Sequence, residues 1–513
     1  MAIDVVLELT AATCGDQRAI GGHGDEDTLT FGAVQQRAQA AAALLRAQGG
    51  RTLAYLGVNG PAFHVAVFAA SMAGIPLCPL NYRLSASELA ELLARLDRPV
   101  VLADDDLLAL VPPGAAAIST IALLHAAPAS PPFTPPEAVD PTAVVLFTSG
   151  TTSTPKAVLV GHEHLTAYVL QTVELLAAQP QECALVAVPT YHVAGVATVL
   201  SNTYAGRRVV HLPQFSPQGW LTLVRAQGVT SAMVVPTMLA RLVEHLAGTP
   251  ADVPTLRSLA YGGARVSPIV LRRALDAFPD TGFVNAYGLT ETSSTICVLG
   301  PEDHRAAHAG TDAAATSRLA SAGRPVPGIE LQIRDPAGTD LAAGQRGELY
   351  VRGPQVSGSY AGVGSVLDAD GWFPTRDRAW LDADGYLFIE GRADDTIIRG
   401  GENVAPAEVE DVLLAHPDVR DAAVIGVPDE EWGQRIGAAV VVHDAALAVG
   451  APAVVADLHA FARERLRSAK APDVIEVWRE LPYSPTGKLL RREVSAAFGT
   501  PADQPIARTG GSA

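Results

Sequence analysis

The strongest constraint on this chain is an alternation of two kinds of apolar segment near its start. Residues 52–58 and 99–103 are short, almost uninterrupted apolar runs, whereas 29–48, 62–73 and 85–96 are longer stretches that read as helices. A strand that is apolar on both faces must be covered on both, and helices between such strands make parallel connections. The order β, α, α, β therefore predicts an α/β fold in which parallel sheets are covered by helices. Thr30 stands immediately before Phe31 and Val34, and Gly49 and Gly50 follow, so Thr30 is the expected cap of the first helix. With 48% hydrophobic and 18% charged residues over 513 positions, a large core can form. At ~150 residues per domain the length suggests about three domains, a count that long α/β domains often reduce.

Lys plus Arg total 37 against 54 Asp plus Glu, a formal net charge of −17. Nucleic acid held by counterion release would need a basic stripe that the sequence does not show, so an anionic ligand must be met by few, placed cations. Cys14, Cys78, Cys183 and Cys297 are far apart and form no C-x-x-C pair. This predicts neither a disulfide framework nor a zinc site, and a reducing cytoplasm fits. Asp4 and Glu8, with no basic region before them, argue against a secretory signal. The apolar stretch 183–200 is interrupted by Pro189, His192 and Gly195 and is expected to be buried core, not a membrane span.

A proline-rich connection at 128–136 leads to an expected strand at 143–147. The loop that follows is Thr148, Ser149, Gly150, Thr151, Thr152, Ser153, Thr154, Pro155 and Lys156. Small residues let backbone N–H groups converge, and hydroxyls plus one lysine add donors, which suits a phosphate group better than a plain connector. A Walker A loop is excluded, because Thr154 and Pro155 precede Lys156 and Ala157 follows it.

With that loop in hand, further motifs fall in a consistent order: Tyr261-Gly262-Gly263-Ala264, Asn285-Ala286-Tyr287-Gly288-Leu289-Thr290-Glu291, and Gly371 through Asp377. Gly391-Arg392-Ala393-Asp394-Asp395, Gly400-Gly401-Glu402-Asn403 and Ser484-Pro485-Thr486-Gly487-Lys488 complete the series. Together they resemble the adenylate-forming superfamily of acyl-CoA synthetases, adenylation domains and luciferases over nearly the whole chain. The run 391–410 and the Tyr191-His192 pair are most similar to aryl-CoA ligases of the chlorobenzoate type. Ser153 replaces a usual glycine, and Arg376 replaces a usual glycine or serine beside Asp377.

The resemblance implies two half-reactions: carboxylate plus ATP gives an acyl adenylate and pyrophosphate, then a thiol takes the acyl group. It implies that Lys488 reaches the reacting oxygens during adenylation. An ammonium 4 Å from an oxyanion gains ~4 kcal/mol at an effective dielectric near 20, ample for a rate role. Tyr287, beside Asn285, Ala286 and Gly288, is implied to face adenine, with Gly262, Gly263 and Ala264 as the adenine wall. Thr290 is implied at the α-phosphate, Glu291 at Mg²⁺, and Asp377 with Arg392 at the ribose. One carboxylate suffices for magnesium, which keeps waters and phosphate oxygens. His192 is implied to gate the acyl pocket from the thiol path, not to act as a general base. The acyl pocket is implied at Val193, Ala194, Gly195, Met233, Val235, Gly262, Ala264, Ser293 and Ser294. Met233 in place of an aromatic wall, and the lack of a basic or acidic side chain there, point to a bulky hydrophobic or aromatic acid.

The same resemblance implies an N-terminal adenylate-forming domain at 1–393, a mobile C-terminal domain at 394–498 turning about Asp394, and a flexible tail at 499–513. Pro406, Val409, Val412 and Leu413 mark a helix stopping at His416-Pro417, and strands are expected at 396–399, 422–427 and 438–442. For coenzyme A the implied contacts are Gly401 to pantetheine, Trp432 to adenine and Lys470 to the nucleotide phosphates. Trp432 could equally be domain core, and Arg463, Arg465, Arg467 and Lys470 could face only water. Ala469 and Ala471 depart from the aromatic and second cation usual there. The expected function is an acyl-CoA synthetase using ATP, Mg²⁺ and coenzyme A. Alternatives are a stand-alone adenylating enzyme loading a carrier protein in trans, or an inactive binding protein of the same fold. Whether residues 39–48 pack internally or against a second subunit stays open.

Overall fold

In the computed structural model the described residues are 1–22, 28–125, 133–148, 155–310, 313–484 and 488–499. The predicted first helix forms at Phe31–Ala47, and the Thr30 hydroxyl caps it by accepting the Ala33 N–H. Its Ala38, Ala41 and Ala42 are buried against helix Pro61–Ala73, so the alanine face packs internally. Strand Thr52–Leu56 pairs in parallel with both Pro99–Ala103 and Leu77–Pro79. The last of these was not anticipated. It is a fully buried strand of only 3 residues that follows Pro76 and ends on Pro79, too short to show a period. Helix Ala86–Leu93 starts with a capping box between Ser85 and Glu88.

These strands belong to one large sheet, in which Leu77–Pro79 also pairs with Thr142–Thr148. That strand runs antiparallel to Lys156–Gly161, which in turn meets Ser359–Tyr360. A second large sheet places Cys183–Val186, Arg208–His211, Ser231–Val234, Ser258–Gly262 and Gly282–Leu289 in parallel register, with Ser294–Leu299 antiparallel at one side. The apolar stretch 183–200 thus divides into strand Cys183–Val186 and the start of helix Val193–Ala205. A four-stranded antiparallel sheet follows: Glu330–Arg334, Gly347–Arg352, Phe373–Leu381 and Leu387–Arg392.

The smaller C-terminal domain opens with the hairpin Ile397–Arg399 and Glu402–Val404. Helix Pro406–Leu414 begins with Pro406 at its first turn, where a missing N–H costs nothing. Strands Val419–Asp429 and Gly433–Val442 are antiparallel, and Val474–Val477 joins the second in parallel. Val409, Leu413, Val424, Ala438, Val440 and Leu458 form its core. The Arg265 guanidinium spans the two domains, donating to Asp411 Oδ1 at 2.8 Å and to the Ala407 carbonyl at 3.3 Å.

Candidate active site

Parallel strands present their carboxyl ends on one side, and ligands of open α/β sheets bind there. Gly262, Val235, Leu289 and the loop carrying His192 all lie at or just beyond such ends. Thr290 to Thr292 make one 3₁₀ turn, after which Ser293 and Ser294 have φ of 56° and 113°. Not every glycine in the motifs is an open edge. A Cβ on Gly288 would lie 1.8 Å from the Ser294 carbonyl oxygen, and one on Gly262 would lie 2.2 Å from that of Ala286. Both glycines are there because protein backbone passes close by. Gly263, with nothing within 4 Å, is the open one.

Asp377 is buried and lies across from Arg392 in neighbouring strands, with Arg392 Nε 2.9 Å from Asp377 Oδ1. The Tyr287 hydroxyl donates to Asp377 Oδ2 at 2.5 Å. Burial raises the Asp377 pKa, opposed by the charge of Arg392 and the Tyr287 hydrogen bond. Both oxygens thus have protein partners, and each keeps a second lone-pair direction for a hydroxyl. The sequence expectation gave Tyr287 only an adenine-facing role. Its ring also packs against the cluster containing Ile296 and Phe373, and its hydroxyl orients the carboxylate.

Glu291 is held from an unexpected quarter. The Tyr360 hydroxyl donates to Glu291 Oε1 at 2.8 Å, and the Glu291 backbone carbonyl accepts from Ser357 N–H at 2.9 Å and Ser357 Oγ at 3.1 Å. Gln355 Nε2 donates to the carbonyls of Thr292 and Thr295. Tyr360 also pairs with Val158, and the Lys156 ammonium sits 5.7 Å from the centre of its ring. Residues 355–361 therefore strap the Glu291 turn to the strand leaving the hydroxyl-rich loop. Nothing in their composition announces this, since a lone tyrosine after Gly-Ser carries no pattern. Thr148 and Lys156 face each other at the two ends of that loop. Ser149, Gly150, Thr151 and Thr152 lie outside the described residues.

As a magnesium ligand, Glu291 fits the chemistry: a hard carboxylate oxygen, with Oε2 given no protein donor among the described residues. Lys488 belongs to the same electrostatic group. Although it keeps exposed surface, desolvation of its ammonium and the charge of Arg392 hold its pKa below the ordinary lysine value, while Asp395, Asp377 and Glu291 act the other way. Its loop is closed by Lys488 N–H donating to Ser484 Oγ at 3.0 Å and Ser484 N–H to the Lys488 carbonyl at 2.8 Å. Beside it, Tyr483 donates to Asp421 Oδ1 at 3.0 Å, and Arg491 clamps Glu410, donating to Oε2 at 2.9 Å, with Asp395 3.8 Å away. Asp394 stands exposed in the turn Ala393–Asp395.

His192 precedes helix Val193–Ala205, its Nε2 buried without a protein partner, and burial lowers its pKa to about 4. It is therefore neutral near pH 7. Tyr191 Oη and Ser293 Oγ are likewise buried and unpaired among the described residues. Val193, Ala194, Met233, Ser294 and Ala264 keep partial exposure, as pocket walls do, while Gly195 and Val235 are buried. Val235 packs into the core with Met238 and Leu239.

The model of the AMP-binding enzyme family matches residues 7–361, and that of the AMP-binding enzyme C-terminal domain matches 408–488. The chain belongs to the AMP-binding enzyme family. It is an AMP-forming ligase of the acid–thiol class. It is 35% identical over 482 residues to a feruloyl-CoA synthase of Amycolatopsis sp, covering 92% of this chain and 94% of that one. It is 34% identical over 490 residues to the fatty acid–[acyl-carrier-protein] ligase ScoC of Streptomyces coeruleorubidus, covering 92% of both. The o-succinylbenzoate CoA synthetase of Bacillus subtilis, solved with its acyl-adenylate intermediate, superposes with a TM-score of 0.82 at 28% identity over 99% of both chains.

In this family member the three residues expected at coenzyme A are gathered by one that was not expected. Arg399 stacks 5.5 Å from the centre of the Trp432 ring and donates to the carbonyls of Ser468 at 3.2 Å and Ala469 at 2.9 Å. Gly400 N–H donates to the Trp432 carbonyl, and Gly401 follows with φ 86°. Trp432 is 46% exposed, which removes the domain-core reading. Lys470 is engaged by Glu408 at 2.7 Å, and Arg463, Arg465 and Arg467 are exposed.

Proposed function

We propose that this enzyme is an ATP-dependent acyl-CoA synthetase acting on a bulky aromatic or hydrophobic carboxylic acid. The observation carrying the reading is the buried Asp377, 2.9 Å from Arg392 Nε and hydrogen-bonded by the Tyr287 hydroxyl, with the charges of Arg392, Asp377 and Glu291 acting on the Lys488 ammonium of the C-terminal domain. Such a preorganised cation lowers the barrier for two anions to meet. In the first half-reaction a carboxylate oxygen bonds to the α-phosphorus and pyrophosphate departs. Lys488 and Thr290 meet the charge on the reacting oxygens, while Asp377, with Arg392 and Tyr287, holds the ribose hydroxyls. Bound magnesium, at Glu291, supplies charge neutralisation of the phosphates. In the second half-reaction the thiol sulfur bonds to the acyl carbon, its proton is lost and AMP leaves.

Rotation of residues 394–498 about Asp394 withdraws Lys488 and brings the group at Gly401, Trp432 and Lys470 to the thiol path. Neutral His192 lines the boundary between pocket and thiol. The unpaired Tyr191 Oη, His192 Nε2 and Ser293 Oγ favour an acid with a polar ring substituent over a plain alkyl chain, because a buried polar atom left unpaired is costly. The feruloyl-CoA synthase relative points the same way. The carrier-protein ligase among the relatives supports a second reading, transfer to a carrier in trans. Pyrophosphate release over a panel of benzoic, cinnamic, fatty and amino acids, with product masses for free CoA and carrier acceptors, tests both. Turnover confined to amino acids or acetate refutes the proposal.

A further inference from the structure

We propose that Asn59 is a positioning residue for His192, reaching across from the first large sheet to fix the loop that carries it on the acid and thiol side of the site. The inference rests on the reading of His192 as the boundary between acyl pocket and thiol path. Residues 187–192 join strand Cys183–Val186 to helix Val193–Ala205 and belong to neither. Their own backbone gives little support: His192 N–H reaches the Pro189 carbonyl at 3.3 Å, and the His192 carbonyl accepts from Gly195 N–H at 2.9 Å. The ties that define the loop come from 129 and 133 residues away in the chain. Asn59 Nδ2 donates to the Val188 carbonyl at 2.6 Å, and Thr190 Oγ1 donates to the Gly57 carbonyl at 3.1 Å. Asn59, Val188 and Thr190 are all buried, where water does not replace a lost partner and an unpaired carbonyl is costly. Tyr191 adds a third contact, its ring edge-on to that of Tyr82 at 5.9 Å, just beyond strand Leu77–Pro79 of the same sheet.

The holding end is itself braced. Val58 N–H donates to Asp104 Oδ2 at 2.9 Å, and Thr120 Oγ1 donates to Asp104 Oδ1 at 2.9 Å. A Cβ on Gly57 would lie 2.8 Å from both Asp104 oxygens, so glycine is what lets the carboxylate close on this turn. Asn59 therefore acts from a fixed base. At the receiving end, a Cβ on Gly195 would stand 3.1 Å from the carbonyl oxygens of Pro189 and Thr190, so the loop is seated on the first turn of the helix bearing Val193 and Ala194. A shift of the loop moves His192 and those pocket walls together. Thr290, Glu291 and Asp377 belong to other elements, and the nucleotide side of the site should be spared.

The test is Asn59→Leu in the full chain, which removes the donor with a modest change of volume. The acid used is the one giving the fastest pyrophosphate release by the parent. Loss of one buried hydrogen bond should slow thioester formation from supplied acyl adenylate by about tenfold and raise the acid KM by about fivefold, with the ATP KM held within about twofold. Modification of His192 by diethyl pyrocarbonate, read by mass spectrometry, should quicken by about fivefold, since its Nε2 is buried in the parent. Thr190→Val cuts the other tie at nearly constant shape. It should give the same pattern, and it decides the matter if Asn59→Leu does not fold. Equal rises in the two KM values, or unchanged His192 modification, overturns the inference. His192→Ala is scored separately. An unchanged thioester rate there sinks the boundary reading, while His192 modification in the two variants still decides the role of Asn59.

Discussion

Replacing Arg265 by alanine should separate the two half-reactions. Arg265 binds both oxygens of Asp411 and the Ala407 carbonyl, and so ties the N-terminal domain to the first helix of the C-terminal domain in the orientation that presents Lys488. The pair is partly exposed, at 40% and 30%, so it is worth about 1 kcal/mol and not the several expected of a buried pair. Burial raises the Asp411 pKa and the Arg265 charge lowers it again, so the variant leaves a carboxylate facing the interface without its cation. A loss of about 1 kcal/mol shifts the balance of orientations by about fivefold, given 1.4 kcal/mol per tenfold. Pyrophosphate release in single turnover should slow by about that factor. Thioester formation from supplied acyl adenylate should hold its rate or quicken. Asp411→Asn, which keeps volume and one acceptor, should show a smaller fall, and the exchanged pair Arg265→Asp with Asp411→Arg should recover part of the loss. Because Ala264 is next in sequence, the acid KM must stay constant for the effect to be orientational. Equal slowing of both half-reactions refutes the reasoning.

Lys488→Ala should lower adenylation by about 10²- to 10³-fold while sparing thioester formation from supplied adenylate, measured by pyrophosphate release and product mass. Tyr360→Phe removes a hydrogen bond to the Glu291 carboxylate and should raise the Mg²⁺ concentration for half-maximal adenylation by about tenfold, with the acid KM unchanged. Asp421, desolvated and held by Tyr483, has its pKa raised to about 6. A carboxyl with a raised folded pKa binds more protons folded than unfolded, so its contribution is full below the unfolded value and is lost as pH rises through about 6. Asp421→Asn should therefore raise Tm at pH 7, change it little at pH 4, and flatten the profile between; an unaltered profile refutes the assignment.

Much of the framework was legible because it follows from local chemistry. Thr30 caps a helix where a hydroxyl precedes an apolar period, and Pro406 starts one where its ring fits. The motif residues Glu291, Asp377, Arg392 and Lys488 could be named as a set from the sequence, and two of them, Asp377 and Arg392, pair across neighbouring strands. Strand Leu77–Pro79 was not, since its 3 residues take their conformation from neighbouring strands and not from their own pattern. Tyr360, Gln355, Arg399 and Arg265 were also missed. Each acts across a separation of roughly sixty to seventy residues, or well over a hundred for Arg265, and long-range pairing leaves no spacing to read in one sequence. Gly262 was read as part of an adenine wall, and the space a Cβ would need there is also filled by the chain's own Ala286 carbonyl, a constraint that no single sequence displays. Arg376 was noticed only as a departure, and its positive φ is a feature that no composition displays.

The strap at 355–361 has a mechanical corollary. One ribbon is sewn at its far end to the exit strand of the hydroxyl-rich loop, through Ala361 N–H to the Ala157 carbonyl at 2.9 Å, and at its near end to the turn bearing Glu291. Displacement at either seam is transmitted to the other. Side chains at Ala157 and Val158, which point into the hydrophobic interior, should thus tune how tightly a divalent cation is gripped without ever touching it.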